Sequence, residues 1–176
     1  RDFLKNYNHY NDLNNIETKL VFGKHYDDEV FLTIILPVYD HPEEFIKRAL
    51  DSALEQKCNY LYQIIVIDDY AKEKGQTVTE KYIRKLNDSR VIYYKNTKNM
   101  GVFGNWNRAV SLAKSKWVSF LHSDDFLKDN YLQNMYDIIK EHPQIDQLAC
   151  NYKKLDFLND DIDTQAEIHG KSGVKK

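Results

Sequence analysis

Three short polar clusters, each directly after an apolar run, hold the residues that could do chemistry. The most telling is Ser123-Asp124-Asp125, which follows Trp117–Leu121. Two adjacent carboxylates repel each other unless a cation or a donor offsets them. Hard divalent cations take oxygen ligands and often combine one or two carboxylates with a substrate's phosphates. Asp124 and Asp125 therefore suit a Mn²⁺ or Mg²⁺ site, with Asp125 the metal ligand, but a solvated turn or helix N-cap would favour aspartate too. Asp68-Asp69 follows Ile64–Ile67. A carboxylate there can accept from a nucleobase N–H or a ribose hydroxyl, or simply cap its loop. Pro37-Val38-Tyr39-Asp40 closes the first apolar run, where the Tyr39 ring could lie against a base or pack in a plain turn.

Gly101 and Gly104 precede Asn105, Asn107 and Arg108. Glycine lets a backbone approach a ligand closely, and an arginine there can pair with phosphate. A helix start with exposed polar side chains explains the same residues without a ligand. His122 is a second metal-ligand candidate or a packed histidine, and Cys58 and Cys150 read as packing residues.

Such clusters act together only if the chain gathers them. Phe31–Leu36 reads as a buried strand stopped by Pro37, and Ile64–Ile67, Val91–Tyr94 and Trp117–Leu121 as further strands. Between them, Phe45, Ile46, Ala49, Leu50, Ala53 and Leu54 follow helical spacing after Pro42. Thr77 and Glu80 have capping-box spacing and open a helix to about Asn87. A loop with Asn99, Gly101 and Gly104 leads into a third helix carrying Trp106, Ala109, Val110 and Ala113. A fourth spans 129–142, and Ile145–Tyr152 reads as a fifth strand.

Strand and helix alternating in this way imply an α/β fold, a mostly parallel sheet with helices on both faces. Ligands of open sheets bind at the carboxyl ends of the strands, where all three clusters lie. Residues 1–30 read as a preamble in which Leu4, Leu13, Ile16 and Leu20 could line a helical face. Residues 31–152 form the main domain, and 153–176 a polar tail.

The chain has 176 residues, 42% hydrophobic and 30% charged, enough for one domain with a substantial core. A formal charge of −2 and a pI near 6.3 give no field for nucleic acid. Two distant cysteines point to a reducing compartment, and no apolar run approaches a membrane span. A cytoplasmic location, free or peripheral at the inner face of a membrane, is the expectation. Arg1 in place of methionine suggests a trimmed chain. No GxGxxG, GxxxxGK[ST] or GxSxG occurs, which disfavours a dinucleotide fold, a P-loop and a hydrolase elbow.

Phe31–Asp40, Ile65–Asp69, Asn99-Met100-Gly101 with Asn107-Arg108-Ala109, and Val118–Asp125 occur in an order and spacing that resembles family-2 glycosyltransferases of the GT-A fold. The resemblance runs from about Phe31 to Tyr152. It implies a Rossmann-like GT-A sheet and transfer of a sugar, with inversion, from a nucleotide diphosphate donor such as a UDP-sugar. The acceptor would be a glycan, or lipid-linked or protein-linked. It also implies Mn²⁺ or Mg²⁺ as cofactor. Pro37, Val38 and Tyr39 would border the nucleoside, Asp69 would bind the base with Asp68 beside it, and Ser123, Asp124 and Asp125 would stand in the DXD-type motif. Gly101, Asn105 and Arg108 complete the expected nucleotide-binding set. The family usually has Asn where Asp40 stands, and a small residue where Tyr70 stands. Its general base lies well beyond the metal motif, so the base is expected outside this chain. Asp156, Asp160, Asp161, Asp163 and Glu167 are acidic but fit no recognised motif. A non-catalytic nucleotide- or metal-binding module and a nucleotidyltransferase stand as alternatives.

Overall fold

The structure, a computed structural model, describes residues 15–69 and 75–153. Its elements run β1 (Thr18–Phe22), β2 (Leu32–Val38), α1 (Glu43–Leu54), β3 (Tyr62–Asp68), α2 (Val78–Leu86), β4 (Val91–Asn96), α3 (Gly101–Leu112), β5 (Trp117–Phe120) and α4 (Tyr131–Glu141). The five strands form one sheet in the order β1-β4-β3-β2-β5. β2 pairs in parallel with β3 and β5, β3 pairs in parallel with β4, and β1 lies antiparallel on β4.

Every residue of β2 and β3 is buried, as expected of strands covered on both faces. Alternation sorts their side chains between two cores. Leu32, Ile34, Leu36 and Val38 meet Ile64, Val66 and Tyr93 under the apolar stripe of α1, Ile46, Ala49, Leu50 and Ala53, with Ile83 of α2. Ile35, Ile65, Ile67, Ile92 and Tyr94 pack beneath Ala109 of α3 on the opposite face. Cutting Leu50 back to alanine would cost about 2–5 kcal/mol, the usual range for a fully buried leucine.

The local signals are met at α2. Thr77 is its N-cap and its hydroxyl accepts from the Glu80 N–H at 3.1 Å. Asn87 ends the helix in the left-handed conformation at φ 51, a place where asparagine is tolerated. Pro42 sits one residue ahead of α1, whose first turn carries Glu43 and Glu44 at the positive end of the helix dipole.

Four expectations change. Pro37 does not stop β2, which continues to Val38. Ile35 and residue 37 face the β5 side, since the Ile35 carbonyl accepts from the Leu121 N–H at 2.9 Å. β5 pairs with β2 only as far as Ile35, so proline's missing N–H breaks no ladder bond. Residues 18–22 are not helical: they are the edge strand, and Leu20 lies in it half exposed. Leu4 and Leu13 fall outside the described residues. Gly23 turns the chain off β1 at φ +78, and a Cβ there would stand 2.2 Å from the Val91 carbonyl oxygen. α3 begins at Gly101 itself, so Gly101 and Gly104 belong to its first turn rather than to a loop.

The fourth change concerns Ile145–Tyr152, which contains no strand. Only Ile145 and Leu148 are partly covered there, three residues apart, and the rest are exposed. That spacing cannot face one side of a sheet. The chain divides into two units, Arg1–Gln133 and Asn134–Lys176. The described part of the second comprises the continuation of α4, with Lys140 over the Tyr136 ring, and the irregular stretch to residue 153.

Candidate functional site

The chain runs from β2 out to β4 and then returns to place β5 on the other flank of β2. Strand order therefore reverses between β2 and β5, and the crevice at such a reversal is where open α/β sheets bind ligands. The loops leaving these two strands touch. The Ser123 hydroxyl lies 3.0 Å from Nδ1 of His41, and the same nitrogen lies 3.3 Å from the Tyr39 N–H. Asp40 holds the tight turn between them at φ 47. Asparagine and aspartate are the non-glycine residues that visit this region most readily, so the exchange of one for the other at position 40 keeps the turn.

α1 fixes the β5 loop from below through a stripe spaced four residues apart. Arg48 Nη2 donates to the Asp124 carbonyl at 2.9 Å, and Ser52 Oγ accepts from the Leu127 N–H at 3.0 Å. Gln56 donates to the Lys128 carbonyl at 2.7 Å and accepts from the Leu132 N–H at 2.9 Å. These three residues were not singled out by sequence. Their i, i+4, i+8 spacing, two on the polar side of α1 and the third just past its C-cap Glu55, was the available signal. The result leaves the Asp124 and Asp125 side chains exposed on a turn closed by the Asp125 N–H to the His122 carbonyl.

Asp68 and Asp69 part company. Asp68, still in the ladder, points to the α1–α2 face and accepts from the Tyr93 hydroxyl at 2.6 Å and the Thr77 hydroxyl at 3.0 Å. Asp69 points to the α3 face. Its Oδ1 accepts from Asn96 Nδ2 and from the Met100 N–H, both at 2.8 Å, and its Oδ2 accepts from the same N–H at 3.0 Å. Both carboxyls are buried. Burial pushes the Asp69 carboxyl above its ordinary range, and the bonds from Asn96, Met100 and Gly101 oppose that rise.

The rest of the expected set divides accordingly. Pro37 and Val38 are covered strand residues, while Tyr39 is exposed at the rim. Gly101 opens α3 at φ 70 with nothing near its missing side chain. Asn105 is buried, accepts from Asn96 at 2.9 Å and donates to the Ile67 carbonyl at 3.4 Å. Ser123 is buried against His41. Arg108 is engaged with the N-terminal segment: its Nη1 donates to the Ile16 carbonyl at 3.0 Å and to Thr18 Oγ1 at 2.7 Å. Two turns into α3, it is carried away from the helix start by the helical rise.

Among the described residues no group of three or more His, Cys, Asp or Glu side chains is placed to hold a metal ion. His122 is in ring contact with Trp106 at 5.0 Å. Asp124 and Asp125 are two exposed carboxylates, oxygen donors of the kind that a hard cation can share with a ligand's own oxygens rather than a protein cage.

The profile of the family described as Glycosyl transferase family 2 matches residues 33–167. The chain belongs to this family. A glycosyltransferase of Methanocaldococcus jannaschii is 27% identical over 121 residues, covering 69% of this chain and 41% of that protein. The poly(ribitol-phosphate) β-N-acetylglucosaminyltransferase TarP of Staphylococcus aureus is 30% identical over 114 residues, 63% of this chain and 33% of its own length. The chain thus spans about two-fifths of the first of these relatives and a third of the second. The crystal structure of S. aureus TarS 1-349 in complex with UDP superposes with a TM-score of 0.54 at 21% identity, over 70% of this chain and 39% of that one. At that identity it establishes the shared GT-A sheet. Among the described residues no helix is long and apolar enough to cross a membrane.

Proposed function

We propose that this family-2 chain is the donor-binding part of a glycosyltransferase that transfers a sugar, with inversion, from a UDP-sugar to a glycan, lipid-linked or protein-linked acceptor. The observation that carries the reading is the reversal of strand order between β2 and β5, with Tyr39 and the Asp124-Asp125 turn joined across it through His41 and Ser123. The names of relatives support it: one is a poly(ribitol-phosphate) β-glucosyltransferase, and TarS has been crystallised with UDP-GlcNAc.

In this reading the Tyr39 ring lies against the base. A base N–H meets Asp69 at Oδ2, because Oδ1 already accepts two bonds. Asp125, with Asp124, would hold Mn²⁺ or Mg²⁺ together with the diphosphate. The cation supplies Lewis-acid stabilisation of the departing diphosphate. Arg48, Ser52 and Gln56 hold the turn in place, so the carboxylates are oriented before the donor arrives. Inversion also needs a base within reach of the acceptor hydroxyl. The acidic residues Asp156, Asp160, Asp161, Asp163 and Glu167 lie outside the described residues.

Calorimetric titration with UDP, GDP, CMP and ATP, each with and without Mn²⁺, tests the proposal. UDP is expected to bind in preference to the others, more tightly with Mn²⁺, and EDTA should reverse the gain. Preference for ATP would favour a nucleotidyltransferase. Mn²⁺ binding with no nucleotide preference would favour a non-catalytic module.

A further inference from the structure

A continuous hydrogen-bond chain links the N-terminal edge strand to Asp69. Thr18 and Asn96 are directly opposed across the β1–β4 pair. The Arg108 guanidinium can only donate, so Thr18 Oγ1 accepts from it at 2.7 Å and sends its own hydrogen to Asn96 Oδ1 at 2.6 Å. That choice orients the Asn96 amide. Its NH₂ then faces Asp69 Oδ1 at 2.8 Å and Asn105 Oδ1 at 2.9 Å. A carboxylate only accepts, so the chain ends there. Every donor points the same way, from a cation at Arg108 to the carboxylate at Asp69, and aligned bonds of this kind polarise one another. Asn96 and Asn105 are buried, and Thr18 and Arg108 are partly so.

We propose that Thr18 and Arg108 are positioning residues of the donor site, fixing through Asn96 the Asp69 carboxylate and, with it, the first turn of α3. The inference rests on the donor-site reading for its function, although the chain of bonds exists without it. The edge strand, read from sequence as a preamble, thereby becomes part of the site. A plain structural staple would make the same contacts, yet it would not govern the proton affinity of Asp69. The charged group beside Asp69 is Asp68, which opposes ionisation, while the Asn96 amide and the N–H groups at the start of α3 favour it; Arg108 touches Thr18 and reaches Asp69 only through the relay.

The test uses Thr18→Val and Thr18→Ser in the 176-residue chain. Valine keeps the branched shape that suits a strand and removes the hydroxyl; serine keeps the hydroxyl. Two readouts are taken: UDP affinity, and the titration of the Asp69 carboxyl carbon followed by ¹³C NMR. Thr18→Val is expected to weaken UDP binding about tenfold and to raise the Asp69 midpoint, and Thr18→Ser to restore both. Folded Thr18→Val protein with an unmoved Asp69 titration overturns the proposal, as does Thr18→Ser behaving like valine. If the parent chain binds no UDP, the donor reading fails while the Asp69 titration still judges the relay. Should Thr18→Val not fold, Arg108→Met carries the same test with the same two readouts.

Discussion

Asp68-Asp69 and Asp124-Asp125 are the same dipeptide after two parallel strands, and the fold puts them to different uses. In the first pair the strand continues through Asp68, so the two side chains leave on opposite faces and are buried in separate networks. In the second, β5 stops at Phe120 and a turn follows, so both side chains stay in solvent. α1 grips this turn and the residues after it by their main chain, through Arg48 to the Asp124 carbonyl and Ser52 from the Leu127 N–H. What separates the pairs is how far the ladder runs relative to the acids. A carboxylate in the ladder or in the residue just past it, as Asp68 and Asp69 are, is a structural anchor first, while one on a turn farther beyond is held by its backbone and keeps its oxygens in solvent.

The sharpest way to break this contrast is to remove Asp69. Asp69→Ala leaves one of the two Asn96 Nδ2 hydrogens and the Met100 N–H buried without an acceptor, and should cost about 3 kcal/mol of stability, measured by urea denaturation. A loss below about 0.5 kcal/mol would make Asp69 as dispensable to the fold as a surface residue. The pH dependence has a definite sign. Burial raises the folded-state value of Asp69, so its contribution to stability is greatest below the unfolded value of about 3.9 and falls as pH rises through the folded one. Asp88, lowered by its bonds from Arg90, behaves oppositely: its contribution is present above the unfolded value and lost as pH falls. The stability difference between the parent chain and Asp69→Asn should therefore shrink as pH rises across that window. A growing difference would mean that the Asn96 and Met100 bonds outweigh burial.

Asp125→Asn makes the complementary case. The exchange keeps shape and removes the charge a cation needs, so the gain in UDP affinity given by Mn²⁺ should disappear while urea stability stays within about 0.5 kcal/mol of the parent. Retained Mn²⁺ stimulation would take Asp125 out of the metal site.

How much of this was legible depends on the range of the interaction. The cap pair Thr77 and Glu80, and Asn87 at the end of α2, are local and read directly from spacing. The apolar runs of β2 and β3 and the helix stripes are equally local, and they imply the parallel sheet and the position of its carboxyl rim. β1 was missed because its case rests on partners near residue 96, seventy-eight positions away from Thr18, and on a guanidinium from α3. The neighbours of Arg108 were hidden for the same reason: sequence offers a phosphate or solvent at a helix start, and only the fold reveals Ile16 and Thr18 beside its Nη1. The division of Asp68 from Asp69 was available in principle, since period-two alternation puts neighbours on opposite faces, but only once the end of β3 is known.

The smallest expected effect is at Asp124. Its contact with Arg48 runs through the main-chain oxygen, and its side chain is exposed. Asp124→Ala keeps that oxygen in place, and alanine is acceptable in a turn that needs no positive φ there. Stability in urea should change by less than about 0.5 kcal/mol, as for surface positions generally. The Arg48 contact can be checked in the same protein, because Arg48→Met removes the donor and should destabilise more than Asp124→Ala does. If Asp124→Ala instead costs more than about 1 kcal/mol, its carboxylate is an anchor like that of Asp69, and the contrast between the two pairs fails at the residue where it should be clearest.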